Sequence, residues 1–225
     1  MIELTHVGYS YGGGTLLRGV DLALGPGDFY FLTGPSGAGK TTLLKICYLE
    51  LMATEGNVSA FGERADNLDR DGIARVRRRV GLVHQDCAFL DHLSVAENIL
   101  LPLSVSGLDT ARESDNLNDL MAWVGLSERA AARPPELSGG ERQRAALARA
   151  IIMSPDVILA DEPTGNVDWE MSQRLLSLLV ELNRMGKTVL IATHDLNLIR
   201  QAKAQVAARV LRIRDRTLTA AGADL

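Results

Sequence analysis

The segment Gly34-Pro35-Ser36-Gly37-Ala38-Gly39-Lys40-Thr41 constrains this chain more than any other. It follows the aromatic-rich run at residues 28–33, which reads as a strand, and opens the leucine-rich stretch 40–51, which has helical spacing. Between a strand and a helix, the pattern G-x-x-x-x-G-K-[ST] is a phosphate cradle. Its glycines let backbone N–H groups converge on an anion without obstruction by Cβ, and the helix start adds a favourable dipole. Lys40 can then reach the β- and γ-phosphates of a nucleotide. The Thr41 hydroxyl suits Mg²⁺, which prefers a few oxygen ligands together with phosphates and waters.

Further strand-like runs fall at residues 2–7, 57–61, 80–84, 157–160, 188–192 and 206–213, with helical patterns between and after them. This alternation predicts an α/β fold with a mostly parallel central sheet, whose ligand sites lie at the carboxyl ends of the strands. The stretch from about 86 to 153 differs. Ser94 is placed as an N-cap, Leu117, Leu120, Met121 and Val124 recur at helical spacing, and no strand stands out. We therefore expect one domain over 1–225, with a core built from 1–85 and 154–225 and a helical subdomain inserted at about 86–153.

Val157-Ile-Leu-Ala-Asp161-Glu162 is an apolar strand that delivers two acids at its end, as a metal-nucleotide site on a parallel sheet requires. Successive strand side chains point to opposite sides, so the two suit different roles. Asp161 is assigned to Mg²⁺, directly or through water, and Glu162 to orienting or deprotonating the attacking water. Thr188-Val-Leu-Ile-Ala-Thr193-His194 repeats the design with an imidazole, which is expected to contact the γ-phosphate or Glu162. Gln85, directly after the strand-like run 80–84, can touch the water or the metal through its amide.

Bulk properties exclude other classes. A net charge of −4 gives no reason to expect a nucleic-acid surface. The local run Arg75, Arg77, Arg78 and Arg79 is read mainly as a solvated helix face, with acidic lipid headgroups or a partner as the sharper reading. Two cysteines, Cys47 and Cys87, are too few for a disulfide framework and too far apart for a zinc pair, which fits a reducing cytoplasm. The N-terminus reads as a strand with no signal peptide, and no apolar run approaches the roughly 20 residues needed to cross a bilayer. Any membrane role is expected to come through a partner.

The stretch Leu137-Ser138-Gly139-Gly140-Glu141-Arg142-Gln143-Arg144 precedes an alanine-rich helix and resembles the ABC signature. Together with residues 34–41, Gln85, Asp161-Glu162, Gly165-Asn166-Val167-Asp168 and His194, it makes the whole chain similar to the ABC ATPase cassette, with every motif in family order. The resemblance implies a P-loop cassette fold with an N-terminal antiparallel β region, and ATP and Mg²⁺ as cofactors. It also implies a nucleotide-binding set comprising Gly34, Pro35, Ser36, Gly37, Ala38, Gly39, Lys40, Thr41 and Thr42, with Gln85 and Asp161. Tyr11, ahead of Gly12-Gly13-Gly14, matches the position where the family stacks a ring on adenine, with Tyr9 as the competing candidate. The resemblance further implies a head-to-tail homodimer, in which Ser138, Gly139, Gly140 and Glu141 of one copy close over the γ-phosphate held by Lys40 of the other. Asn166 to Asp168 would then lie at the subunit boundary. From the residues alone, Ser138 to Gly140 form a second anion-binding helix start with a hydroxyl donor.

Within the family the chain is most similar to the FtsE-type cell-division ATPases, through residues 31–45, His84-Gln85-Asp86, residues 98–103, residues 160–166 and 192–195. Val167 and Glu141-Arg142 depart from the pattern of that branch and leave the catalytic set intact. The subfamily resemblance implies an integral membrane partner of the FtsX type, work at the cytoplasmic face of the bacterial plasma membrane, and control of cell-wall hydrolysis. The groove beside Gln85, lined by residues 87–92, is the expected docking surface. The alternative within the same fold is the ATPase of a lipoprotein-releasing, macrolide-export or other transporter. A DNA-repair or translation ATPase would carry a long coiled-coil insert or two tandem cassettes, and a scaffold that binds ATP without turnover would lack Lys40, Glu162 or His194.

Overall fold

The computed structural model describes residues 1–165 and 167–221. The chain begins with β1 (Ile2–Tyr11) and β2 (Gly14–Leu24), followed by β3 (Phe29–Thr33) and α1 (Lys40–Cys47). Next come β4 (Glu55–Ala60), the short β5 (Glu63–Arg64), α2 (Arg70–Arg78) and β6 (Val80–Val83). Three helices succeed one another, α3 (Val95–Val105), α4 (Ser114–Trp123) and α5 (Gly139–Ile151), before β7 (Val157–Asp161). The chain continues through α6 (Trp169–Arg184), β8 (Thr188–Ala192), α7 (Leu196–Lys203), β9 (Ala208–Arg214) and β10 (Thr217–Ala220).

Two sheets result. One is antiparallel, ordered β2-β1-β4-β5; the other has six strands ordered β10-β9-β3-β8-β7-β6 and is parallel except for its β10–β9 edge. The central strands are buried on both sides, which explains why they read as continuous apolar runs. Phe29, Phe31, Ile158, Ala160, Val189 and Ile191 turn to one face, where α3 to α7 supply Ile99, Met121, Leu147, Leu176 and Ile199. Tyr30, Leu32, Val157, Leu159, Leu190 and Ala192 turn to the other, against Leu43, Leu44 and Ile46 of α1 and Ile2, Val20 and Val58 of the antiparallel sheet. Slipping one strand by a residue would exchange its two side-chain sets between layers of different shape, so the register is strongly specified.

That register sets the geometry of the site. Leu32 pairs with Ala192, Asp161 pairs with Ala192, and Val83 pairs with Ala160, so β3, β8, β7 and β6 stop at one edge. Backbone bonds just past the strand ends tie that edge together: Glu162 N donates to Ala192 O at 2.8 Å and Thr193 N donates to Leu32 O at 3.0 Å.

Several expectations are corrected. The helix expected over 40–51 ends at Cys47, because Leu49 turns to φ 57° and Glu50 N bonds back to Lys45 O. Strand β2 had no counterpart in the sequence reading; a bulge at Gly19, φ 56°, throws Leu17 out of phase with the inward-facing Val20, Leu22 and Leu24. Of the arginine run, Arg75, Arg78 and Arg79 form the expected solvated face and only Arg77 departs from it by turning partly inward. Arg77 donates to Leu49 O at 2.8 Å and sits over the Tyr48 ring, while Arg79 pairs with Asp156 at 2.7 Å and stacks on Phe61. Arg75 and Arg78 are exposed, as is Arg79 despite its contacts.

Ser94 caps α3 in a reciprocal box with Glu97. Both cysteines are buried and free. Among the described residues no helix is long and apolar enough to cross a membrane.

Gly81 in β6 lies against α5 so closely that a Cβ would collide with the carbonyl of Ala150 and approach Pro155 Cγ to 3.1 Å. Backbone cannot yield as a flexible side chain does. Gly81→Ala is therefore expected to cost about 1–3 kcal/mol in chemical denaturation, the usual scale of overpacking.

Candidate active site

Helix α1 is built to leave its first turn open. Gly39 at its N-cap offers no side-chain acceptor, and no acid occupies the first turn. By contrast α2, α3, α5, α6 and α7 are capped by Asp69, Ser94, Ser138, Asp168 and Asp195. The unpaired N–H groups of α1 thus remain available to an anion. Gly39 adopts φ 104°, and a Cβ there would come within 2.9 Å of Leu17 Cδ2; Gly34 approaches Ile213 O equally closely. The loop is glycine-rich because the backbone is both left-handed and tightly backed at these points.

Around this loop the strand ends bring together the expected residues. Lys40 Nζ donates to Gly34 O at 2.9 Å and Pro35 O at 3.3 Å, and lies 3.9 Å from Glu162 Oε1. The same Glu162 oxygen meets His194 Nδ1 at 2.9 Å. Glu162 is thereby held between an ammonium and an imidazole. It also carries φ 45°, a left-handed backbone that costs a non-glycine residue roughly 1–2 kcal/mol. This turn swings its carboxylate out of the strand's alternation, past the buried Asp161.

Asp161 is buried, with the Thr41 side chain beside its carboxyl and its Oδ1 lacking a protein partner. Burial pushes its pKa up, the Thr41 hydroxyl opposes that, and the neighbouring Glu162 charge adds to it. An orphaned, desolvated carboxylate oxygen beside a threonine hydroxyl is a donor set that fits Mg²⁺. Among the described residues no cluster of three or more His, Cys, Asp or Glu could hold a metal alone. The remaining oxygens would have to come from a phosphate ligand and water.

Other predicted residues sit at greater remove. Tyr11 is 53% exposed, stands edge-on to Tyr9 at 4.8 Å between centroids, and places its hydroxyl 3.4 Å from Thr42 Oγ1. Its exposed ring is free to stack, and the Thr42 contact ties it to α1. Gln85 is exposed, and its carbonyl accepts from Gln143 Nε2 at 3.2 Å. Ser138 starts α5, where its hydroxyl accepts from Glu141 N at 3.3 Å. The Glu141 carboxylate turns back to Ser138 N at 2.8 Å and to Arg129 at 2.8 Å. That differs from an open second anion site: the backbone bond from Ser138, foremost, lowers the Glu141 pKa, so a negative charge already occupies this helix start. Gly139 and Gly140 follow within the helix, and a Cβ on Gly140 would strike Met171 of α6 at 2.6 Å. Asn166 lies outside the described residues, and Asp168 serves as the cap of α6.

Sequence reasoning missed the residues that shape the segment after Gln85. Cys87 and Ala88 take φ 54° and 30°, and Arg149 of α5 donates to the carbonyls of both, at 2.5 and 2.9 Å. Of the run 87–92, Cys87 is buried, Phe89 packs beneath Arg149 at 4.6 Å, and Leu90 is exposed. A cavity of about 570 Å³ opens beside it, lined by His84, Ala88, Arg77, Leu101, Val105 and Met153 among others.

An uncapped helix start behind a glycine loop, a buried carboxylate for a cation and a second carboxylate braced by lysine and histidine define a P-loop ATPase cassette. Residues 17–165 match the family described as ABC transporter, and the chain belongs to that family as an ATP-hydrolysing cassette. It is similar to the cell division ATP-binding protein FtsE of Haemophilus influenzae, 42% identical over 203 residues that cover 89% of this chain and 93% of that protein. FtsE of Escherichia coli K12 is 42% identical over 201 residues, covering 88% and 90%, and FtsE of Bacillus subtilis 37% identical over 209 residues, covering 92% of each. Among solved structures, the chain resembles the dimeric post-hydrolysis state of the ATP-binding cassette MJ0796 bound to ADP and Pi. That match has a TM-score of 0.86 at 32% identity and covers 97% of this chain and 96% of that one.

Asp161 supplies a pH-dependent test. Its folded pKa is raised above the unfolded value, so its contribution to stability is full at low pH and is lost as pH rises through the folded pKa. Asp161→Asn removes the buried charge. The nucleotide-free variant is expected to melt higher than wild type near pH 7.5, with the gain shrinking toward acid pH, and to lose the extra melting shift that Mg²⁺ adds to ATP. A variant that melts lower near pH 7.5 would contradict the assignment of Asp161 as a desolvated charge.

Proposed function

We propose that this chain is the ATP-hydrolysing subunit of an FtsEX-type complex, which acts in cell division on an integral membrane partner of the FtsX type and regulates cell-wall hydrolysis. The observation that carries the chemistry is Glu162 Oε1 held 2.9 Å from His194 Nδ1 and 3.9 Å from Lys40 Nζ. The cell-division assignment is supported by kinship with FtsE proteins at 37–42% identity across most of the chain.

In this reading ATP lies with its phosphates over the first turn of α1 and its adenine on Tyr11. Residues 34–42 cradle the phosphates, and Lys40 exchanges its loop carbonyls for phosphate oxygens. Thr41 and Asp161 would hold Mg²⁺, with Gln85 contacting the metal or the attacking water, and the bound cation would supply neutralisation of the charge that builds on the phosphoryl group. Glu162 accepts the proton of the attacking water, and His194 orients Glu162 and the γ-phosphate. Two copies pair head to tail, so that Ser138, Gly139 and Gly140 of one complete the site of the other, while Glu141 remains the cap that orders them. The dimeric MJ0796 cassettes support this arrangement. The cavity beside His84 and Val105 receives a short helix of the membrane partner, which keeps the chain at the cytoplasmic face of the bacterial plasma membrane.

Glu162→Gln is expected to retain ATP binding and to lose roughly 10²- to 10⁴-fold in turnover, the range of a positioned general base. Steady-state phosphate release beside equilibrium nucleotide binding checks it, and near-normal release removes Glu162 from that role. Affinity purification of the tagged chain from detergent-solubilised membranes is expected to recover an FtsX-type protein. Recovery of a transporter permease would redirect the assignment to lipoprotein release, drug export or another transport function.

A further inference from the structure

Helix α5 begins at Ser138, and five residues further on it starts to grip the segment that carries Gln85. Gln143, buried on that helix, donates from Nε2 to Gln85 O at 3.2 Å. Two turns beyond, Arg149 forks onto the next carbonyls of the segment, Nη2 to Cys87 O at 2.5 Å and Nη1 to Ala88 O at 2.9 Å. Its guanidinium also lies over Phe89, 4.6 Å from the ring centroid, with Arg142 on the same ring at 5.8 Å. These five α5 contacts thus fall on four of the five residues from Gln85 to Phe89.

The gripped backbone is one the chain would not adopt unaided. Cys87 and Ala88 both have positive φ, 54° and 30°, in a tight turn whose internal bonds are Cys87 N to His84 O at 3.2 Å and Ala88 N to Asp86 O at 2.6 Å. Neither residue is glycine, so the conformation persists only where surroundings impose it. Arg149 is an unusual residue to spend there. Desolvation lowers its pKa and no carboxylate opposes this, so the cation is held by carbonyl dipoles and an aromatic face. Its planar fork sets a separate N–H on each of two adjacent carbonyls while stacking on the Phe89 ring, a geometry that the point charge of a lysine does not reproduce.

We infer that Gln143 and Arg149 are positioning residues for Gln85: together they hold residues 85–89 in a strained path that presents the Gln85 side chain to the nucleotide site. Because the clamp rides on the helix that Ser138 starts, a movement of α5 toward a second copy is carried to Gln85 of its own site. This rests on the proposed ATPase reading and goes beyond it, assigning work to Arg149, which lies outside the motifs, and to Gln143, to which the signature stretch had given no role.

The test combines Arg149→Gln, Arg149→Lys, Gln143→Leu and Gln85→Ala in the full chain. Arg149→Gln is expected to lower kcat for ATP roughly tenfold while KM changes little, since a displaced group is costly to chemistry before it is costly to binding. Arg149→Lys is expected to fall between the two. Amide hydrogen exchange at residues 86–89 should rise in Arg149→Gln and Gln143→Leu without ligand present, independently of turnover. If Arg149 acts through Gln85, adding Arg149→Gln to Gln85→Ala should cause little further loss.

Wild-type kcat in a folded Arg149→Gln, unchanged exchange at 86–89, or full additivity with Gln85→Ala would overturn the inference. Should Arg149→Gln fail to fold, the same kcat, exchange and additivity readings on Gln143→Leu decide it. A wild-type chain that does not hydrolyse ATP would instead sink the proposed function, and the exchange measurement would still report on the clamp.

Discussion

The site depends on the register of four parallel strands. Because Leu32, Ala192 and Asp161 lie level across β3, β8 and β7, and Val83 of β6 pairs with Ala160 one residue earlier, the residues that follow each strand emerge along one edge. No contact among Lys40, Glu162 and His194 would exist otherwise, since 122 residues separate Lys40 from Glu162 in the sequence. The register is in turn enforced by burial on both faces, where each strand's alternating side chains must fit two different layers. Stability and chemistry thus share one determinant.

Against that rigid frame, several unfavourable features lie where the chemistry is, although left-handed non-glycine residues also occur at His6, Leu49, Phe61, Ser154, Asp215 and Arg216. Asp161 carries a desolvated carboxylate with an unpaired oxygen, Glu162 and the Cys87-Ala88 pair have left-handed backbones, and α1 starts without a cap. Each would be mended easily by a different residue, at the expense of an anion, a cation or a water-directed carboxylate. Helices α2, α3, α5, α6 and α7 are instead capped by Asp or Ser, while α4 lacks a side-chain cap as α1 does. A fold can carry several such defects when they are confined to a strongly buried edge.

Helix α5 is the element through which the two sets of functional residues communicate. Its start is ordered by the Ser138–Glu141 box, its body packs through Ala145 to Ala148 into the core, and its polar side grips the backbone after β6. The acidic Glu141 at the helix start shows how a residue in a binding motif can serve order first. Its carboxylate holds Ser138 N and Arg129, while Ser138 and Gly139 stay exposed and Gly140 is buried against Met171.

The sequence by itself determined the glycine loop, the apolar strands with Asp161-Glu162 and His194 at their ends, the Ser94 cap and the family. All are local patterns, in which residue type and spacing carry the physics directly. Strand β2 escaped because a bulge at Gly19 breaks the two-residue period that reveals a strand. Arg77 reads in the sequence as part of a solvated charge run, although its partner, the Leu49 carbonyl, is distant in sequence. Likewise the Glu162 brace and the Arg149 fork arise only when separate segments are stacked by the sheet. A side chain's partner across the fold is set by packing of the whole core, and no short window of sequence contains it.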